Sequence, residues 1–146
     1  MKRYRYKFRV KYGKALDTGK NKKVSEEYLV DAESFTETEK RATKAATELI
    51  GTRDFDITAI SREPITEILK EDENEGNHWY KTVVSLVTED EDTGVKKFSP
   101  QTIYVNASSI KEADHMLREH MESSVTDWEI KSIAETKVLG VLGYKQ

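Results

Sequence analysis

The sequence predicts an α+β fold built from two copies of a β-β-α-β unit, and two observations support this prediction. Residues 28–37 resemble residues 103–112 at an offset of 75 positions. At the same offset, Asp17-Thr18-Gly19 recurs as Asp92-Thr93-Gly94. A repeated supersecondary unit defines an architecture, but it does not by itself define a chemical activity.

The first element is a strand, because residues 4–12 alternate aromatic or apolar side chains with basic ones. Successive side chains of a strand point to opposite faces of the sheet. The rings and Val10 therefore face the core, and the cations face outward. The following Asp-Thr-Gly segment predicts a hairpin turn in which glycine supplies the positive φ. A second strand then covers residues 23–31.

A helix follows each second strand. Ser34 and Glu37 have the spacing of a capping box, and so do Ser109 and Glu112. Apolar and small side chains recur along one stripe of each helix. In the first helix they are Phe35, Thr38, Ala42, Ala45 and Leu49. Gly51 is placed to end the first helix.

The third strands are predicted at residues 55–61 and 128–135, which resemble each other over their first six positions. Short apolar extensions follow them, at residues 65–69 and 138–142. A crossover through a helix makes the second and third strands parallel, so the first strand lies between them. Two such units can align their third strands into one mainly antiparallel sheet, with the two helices on one face.

The repeats set the expected domain organisation. The first β-β-α-β repeat covers residues 1–70, residues 71–77 form an acidic, glycine-containing linker, and the second repeat covers residues 78–146. A unit of roughly 70 residues buries only about 60% of the surface of its unfolded chain. We therefore expect the two repeats to pack into one compact domain.

Composition narrows the functional class. The chain has no cysteine, which excludes disulfides, thiolate zinc sites and a cysteine nucleophile. No stretch approaches the roughly 20 apolar residues that span a bilayer, so we expect a cytoplasmic protein with no membrane partner. The net charge of −3 hides an asymmetry, because residues 1–24 carry +9 and the rest of the chain carries −12.

Several short segments resemble a known family. They are Tyr28-Leu29-Val30-Asp31-Ala32, Ser34-Phe35-Thr36-Glu37 and Ile133-Ala134-Glu135-Thr136-Lys137. These segments are similar to a domain-of-unknown-function family found in Bacteroidota and their phages, and the resemblance covers nearly the whole chain. The resemblance implies a small cytosolic protein of phage or mobile-element origin. It supplies no activity, cofactor or catalytic residue.

The motifs do not favour an enzyme. Aspartic proteases use one Asp-Thr-Gly triplet from each of two lobes, with both carboxylates buried together, but the charged flanks of both triplets favour exposed turns. His115 and His120 are five positions apart, which places them on different sides of a helix and argues against a zinc site. Phosphate-cradling glycine loops, nucleophile elbows and dinucleotide fingerprints are not found. We expect no catalytic residue, no metal site and no cofactor.

The basic first strand carries the main functional interpretation. Its cations recur about every 6.6–6.8 Å along an extended strand, similar to the phosphate spacing of an extended single strand. We therefore predict a non-enzymatic binding module that contacts nucleic acid or another polyanion. Lys14 and Lys20 of the adjoining hairpin enlarge the basic patch. The predicted contacts are Arg3, Arg5, Lys7, Arg9, Lys11, Lys22 and Lys23.

Two other interpretations stay open. The strand cations could instead pair within the sheet with Glu27, Asp31 or Asp56. The protein could also be an interaction module that modulates a host protein, or that forms a homo-oligomer through exposed sheet edges. A pocket for a small anionic nucleotide between the halves has no supporting motif.

Overall fold

Residues 4–51, 54–70 and 78–142 are described by the computed structural model, and they form an α+β fold with two helices and two four-stranded sheets. The predicted fold class is confirmed. The elements are β1 (Tyr4–Ala15), β2 (Asn21–Ala32), α1 (Phe35–Ile50), β3 (Phe55–Glu63), β4 (Glu67–Leu69), β5 (His78–Glu89), β6 (Lys96–Ala107), α2 (Ile110–Met121), β7 (Asp127–Glu135) and β8 (Val138–Leu142). The same order of elements occurs twice, which is compatible with a duplicated unit.

The first strand of each repeat lies between the second and third strands, as predicted. One sheet has the order β3-β1-β2-β8 and the other has the order β4-β6-β5-β7. The central strands β1 and β5 are antiparallel to both neighbours. The alignment of the third strands into one sheet is wrong, however, because β3 and β7 are edge strands of two different sheets.

Each sheet receives its fourth strand from the other half of the sequence. The extension β4 pairs in parallel with β6, and β8 pairs in parallel with β2. One compact unit therefore contains Met1–Pro64 and Lys137–Gln146, and the other contains Ile65–Thr136. This division differs from the expected boundaries at residues 70 and 78. The expected linker, residues 71–77, lies outside the described residues.

Both helices begin at the predicted serines. The Oγ of Ser34 accepts a hydrogen bond of 3.1 Å from the amide of Glu37, and Ser109 does the same for Glu112 at 3.1 Å. Each glutamate reaches back to the amide that precedes the serine, rather than to the amide of the serine itself. Gly51 ends α1 with a φ of 77°, and its amide donates to the carbonyl of Thr47 at 3.1 Å. These bonds satisfy amides and carbonyls that helix ends leave unpaired.

The inward side of β1 supports one core. Tyr6, Phe8 and Val10 are buried, as the alternation predicts. Tyr6 and Phe8 cluster with Val30 and Ala32 of β2 and with Ala42 of α1. In the other unit, α2 covers the equivalent side of β5 and β6, where Tyr80, Val105 and Leu117 belong to one cluster. The cations of β1 at alternate positions consequently lie on the side of the sheet that faces away from α1.

Candidate nucleic-acid interface

The β1–β2 hairpin extends beyond the rest of its sheet. β1 and β2 are paired from Tyr4↔Ala32 to Ala15↔Asn21, whereas the pairing of β1 with β3 ends at Tyr12↔Phe55. Among the described residues, β8 pairs with β2 only at residues 27–30. Residues 13–15 and 21–23 therefore form a two-stranded ribbon about 10 Å long, at roughly 3.4 Å per residue. We call residues 11–24, which contain this end of the hairpin and its turn, the basic ribbon.

The turn of the basic ribbon is the first Asp-Thr-Gly triplet. The amide of Leu16 donates to the carbonyl of Lys20 at 2.8 Å, and the amide of Gly19 donates to the carbonyl of Leu16 at 2.9 Å. Gly19 has a φ of 82°, which side chains other than glycine rarely adopt. This is a three-residue hairpin loop whose last residue is left-handed.

The second triplet also lies in a hairpin turn, between β5 and β6. There the amide of Gly94 donates to the carbonyl of Asp90 at 2.9 Å, and Gly94 has a φ of 71°. Hydrogen bonds from the amides of Thr93 and Asp92 lower the pKa of the Asp90 carboxyl. Asp17 and Asp92 are both exposed, whereas the dyad of an aspartic protease needs buried carboxylates that share a proton. The predicted turns are confirmed.

The cations Lys7 and Arg9 of β1, which precede the basic ribbon, have carboxylate partners within the sheet. The Nζ of Lys7 lies 3.8 Å from Glu27 and 3.5 Å from Glu63, and the Nη2 of Arg9 lies 3.5 Å from the same oxygen of Glu27. Glu27 is only 8% exposed, so these two cations compensate a buried carboxylate. Glu27 was among the partners expected from the sequence, but Glu63 was not. Arg5 also interacts with other groups of the protein, and Arg3 lies outside the described residues.

The cations of the basic ribbon are different, because no ion pair joins them to a carboxylate in the described part of the chain. All are exposed. They are Lys11, Lys14, Lys20, Lys22 and Lys23. The register sets Lys14 directly opposite Lys22, and like charges in that position repel. It also sets Asp56 opposite Lys11, yet the two side chains form no ion pair.

The acid closest to the ribbon on β2, Glu26, is engaged by two tyrosines. The hydroxyl of Tyr28 donates to Glu26 at 3.4 Å. Burial, together with the charge and hydrogen bond of Glu26, raises the pKa of Tyr28 to about 12. Burial and a hydrogen bond to Glu26 also raise the pKa of Tyr12. Glu26 therefore accepts hydrogen bonds from phenol groups, and no ion pair joins it to a lysine of the ribbon in the described part of the chain.

The ribbon carries positive charge on both faces. Lys23 is opposite Gly13, two positions beyond Lys11 on the same strand, so Lys11 and Lys23 share the face of Arg9. Lys14 and Lys22 lie on the other face, which is the face of Tyr12. Among the described contact residues, Lys22 therefore lies on the face opposite to that of Lys11 and Lys23. Lys14 was expected to enlarge the patch around these contacts, and the register set by the three-residue turn places it opposite Lys22.

Other polar groups do not form a comparable site. His115 contacts Glu119 at 3.5 Å, and His120 contacts Glu67 at 2.5 Å, so the two histidines have separate partners. Within residues 4–51, 54–70 and 78–142, no three or more His, Asp or Glu side chains are grouped to hold a metal ion. None of the helices in these segments combines the length and the apolar character needed to cross a membrane.

A family model described as a domain of unknown function (DUF4494) matches residues 4–144. This match covers nearly the whole chain, and the chain therefore belongs to that family. No curated protein and no solved structure matches the chain.

Proposed function

We propose that this member of the DUF4494 family is a non-enzymatic, cytoplasmic binding module that contacts the phosphates of nucleic acid through its basic ribbon. One observation carries the proposal. Five exposed lysines lie on or beside a projecting hairpin, and the described residues offer them no carboxylate partner. They are Lys11, Lys14, Lys20, Lys22 and Lys23.

The register adds an energetic argument. Lys14 and Lys22 repel each other across the ribbon, whereas the corresponding end of the β5–β6 hairpin sets Glu89 opposite Lys96. An opposite-charge cross-strand pair contributes about 0.2–1 kcal/mol, and a like-charge pair costs a similar amount. A bound phosphate between or beside the lysines would remove this cost. An external anion would thus compensate the positive charge of the basic ribbon better than the groups of its own sheet do.

The ion pairs distinguish two groups among the predicted phosphate-contacting residues. Lys7 and Arg9 compensate Glu27, so we assign them to the stability of the sheet and only secondarily to the surface potential. Lys11, Lys22 and Lys23 stay in the proposed interface, and Lys14 and Lys20 join them. The phage or mobile-element origin in Bacteroidota, implied by the short segments described above, forms part of this proposal.

A binding titration tests the proposal. Fluorescence anisotropy with labelled single-stranded and double-stranded oligonucleotides, repeated across salt concentrations, should show binding that weakens steeply with salt. Five phosphate contacts give a log–log slope of about −4.5 on duplex DNA and about −3.5 on a single strand. Substitution of four ribbon lysines (K11Q/K14Q/K22Q/K23Q) should remove most of the slope.

The chain offers a matched control for this titration. Lys96 and Lys97 lie at the end of the other hairpin, opposite Glu89 and Thr88. The variant K96Q/K97Q should bind as the wild type does. An absence of salt-dependent binding to either oligonucleotide refutes the proposal, and equal losses in the two variants assign the binding to charge in general rather than to the ribbon.

A second candidate function, protein association through a sheet edge, is favoured by β3. Among the described residues β3 pairs only with β1, so its outer edge has no strand partner. Residues 57–61 contain no charged residue and no Pro, two of the features that usually protect an edge from added strands, whereas Asp56 and Arg62 flank this stretch. An open groove of about 650 Å³ lies beside this edge, between β3 and α1.

The edge strands β3 and β7 each contain a bulge, and the residue at the bulge of β7 suggests a substitution that tests the edge of β3. The bulge in β3 leaves Thr58 unpaired, and the bulge in β7 leaves Lys131 unpaired. If β3 adds a strand from a protein partner or a second copy, Thr58→Lys should abolish the association. Val125→Lys, at a fully exposed loop position, is the control with the same change of charge. A concentration-independent monomer mass in light scattering, together with no partner retained in co-purification, would refute this candidate.

A further inference from the structure

We infer that the nucleic acid bound by the basic ribbon is B-form duplex DNA, and that the ribbon enters its major groove with the turn first. This inference rests on the proposed function, because it names the substrate of the same site. Three observations lead to it: lysines on both faces of the ribbon, few aromatic side chains, and the length of the ribbon beyond β3.

The distribution of charge argues for a groove rather than a single strand. Lys11 and Lys23 lie on one face of the ribbon, and Lys14 and Lys22 lie on the other. A single strand that follows one surface could contact only one of these pairs. Two walls of phosphates, one on each side of the ribbon, could contact both pairs, and a DNA groove provides two such walls.

The side chains of the ribbon do not provide a stacking surface. Proteins that bind single strands without sequence preference usually combine a basic groove with aromatic rings on which bases stack. Residues 11–24 contain one aromatic residue, Tyr12, which is half-buried and bound to Glu26. The remaining exposed side chains of the ribbon are aliphatic or polar. They are suited to phosphates, but not to unstacked bases.

The length of the ribbon is also similar to the dimensions of the major groove of B-form DNA. The three residue pairs beyond Tyr12↔Phe55 span about 10 Å at roughly 3.4 Å per residue. The major groove of B-form DNA is about 12 Å wide and about 8.5 Å deep, and it admits a two-stranded β-ribbon. The deep, narrow major groove of A-form RNA does not admit side chains in this way. The geometry thus selects duplex DNA over duplex RNA.

The turn would then lie at the floor of the groove. Asp17 is exposed at the turn, and its carboxylate is repelled by phosphates. At the groove floor, however, a carboxylate can accept a hydrogen bond from the amino group of cytosine. Insertion with the turn first therefore places the lysines beside the phosphates and Asp17 beside the bases.

The test compares three labelled probes of equal length and composition: duplex DNA, single-stranded DNA and duplex RNA. Duplex DNA should bind most tightly, and its affinity should fall about 500-fold between about 50 and about 200 mM salt for a slope of about −4.5. The variants K11Q/K23Q and K14Q/K22Q each remove the lysines of one face. Each should reduce the slope by about 1.8, whereas K96Q/K97Q should not change it.

The outcomes separate this inference from the proposed function. Equal or tighter binding of single-stranded DNA or duplex RNA overturns the inference alone, and so does a loss confined to one face variant. Displacement of the protein by a minor-groove ligand also overturns it. No salt-dependent binding to any probe overturns both. Circular dichroism and thermal unfolding check that each variant is folded, which we expect because the substituted lysines are all exposed.

Discussion

Glu27 is the residue on which the polar side of the first sheet depends. It is only 8% exposed, and its Oε1 lies 3.8 Å from the Nζ of Lys7 and 3.5 Å from the Nη2 of Arg9. A buried carboxylate is stable only when cations or hydrogen bonds replace its water. The pair of cations does so here, and it thereby offsets part of the positive charge that Lys7 and Arg9 add to this surface.

Replacing Glu27 with glutamine should therefore lower stability and raise the affinity for polyanions. The free energy of unfolding should fall by about 1–3 kcal/mol, because the substitution removes a buried acid that two cations share; Lys7 keeps its contact with Glu63, but Arg9 loses its ion pair. In the binding titration, Arg9 becomes available to phosphates, whereas Lys7 keeps Glu63, so the salt slope on duplex DNA should become more negative by up to about 0.9.

The control for this prediction is Glu129→Gln. Glu129 contacts Lys131 at 3.2 Å, but the side chains of both residues are about half exposed, at 56% and 48%. Exposed pairs of this kind contribute at most about 1 kcal/mol. Urea unfolding of both variants is the measurement. Equal stability of Glu27→Gln and wild type would contradict the structural role that we assign to Glu27.

At the scale of the elements, local sequence patterns predicted most of what the structure contains. The alternation along residues 4–12 identified β1 and its buried rings, and the serine–glutamate spacing identified the start of both helices. These features depend on neighbours within a few positions, where strand alternation and capping operate.

The ends of the first hairpin could not be predicted in the same way. Residues 13–15 and 21–22 show no apolar alternation, and Gly13 has a low intrinsic preference for strands. They are nevertheless paired, because the three-residue turn sets a register that continues to the last pair, Ala15↔Asn21. The residues of this ribbon consequently form strands because the hairpin register pairs them, and not because they have a high intrinsic preference for strands.

The buried stripe of α1 shows a similar limit. Its spacing suggested that Phe35 and Leu49 face the core, but both are 54% exposed, and the buried residues are Thr38, Ala42 and Ala46. Small residues allow the helix to lie close to the sheet, and the larger side chains are then displaced to the sides. Phe35 still contacts the ring of Tyr6 edge-on, with 5.0 Å between the ring centroids.

At the scale of the whole molecule, the exchange of the fourth strands was not visible in the sequence. Residues 65–69 and 138–142 are both short and apolar, and periodicity does not specify which sheet edge such a segment joins. In the structure β8 covers β2 at Glu27–Val30, although it belongs to the second half of the chain. Each half of the sequence thus supplies a strand to the compact unit formed by the other half.

The pairing of β8 with β2 leads to a prediction about the free energy of unfolding. Val138 is 4% exposed and lies next to Glu27 in the parallel register of β8 and β2. Val138→Asp should lower the free energy of unfolding by about 3 kcal/mol or more, because it replaces a buried apolar side chain with a charge that lies beside the carboxylate of Glu27. Leu139→Asp is the control, because Leu139 is in the same strand but 57% exposed; its effect should stay within about 0.5 kcal/mol.

Native-state hydrogen exchange shows which strands are destabilised in the Val138→Asp variant. If β8 stabilises the unit formed by Met1–Pro64, the amides of β2 at Tyr28–Val30 should lose protection in Val138→Asp, while the β5–β6 pairs keep theirs. Loss confined to β5 and β6, or equal losses in Val138→Asp and Leu139→Asp, would contradict the pairing of β8 with β2. Because Glu27 lies in the same stretch of β2, loosening β8 should also expose its carboxylate and weaken its hold on Lys7 and Arg9. The strand contributed by the far end of the sequence therefore stabilises the side of the first sheet from which the basic ribbon extends.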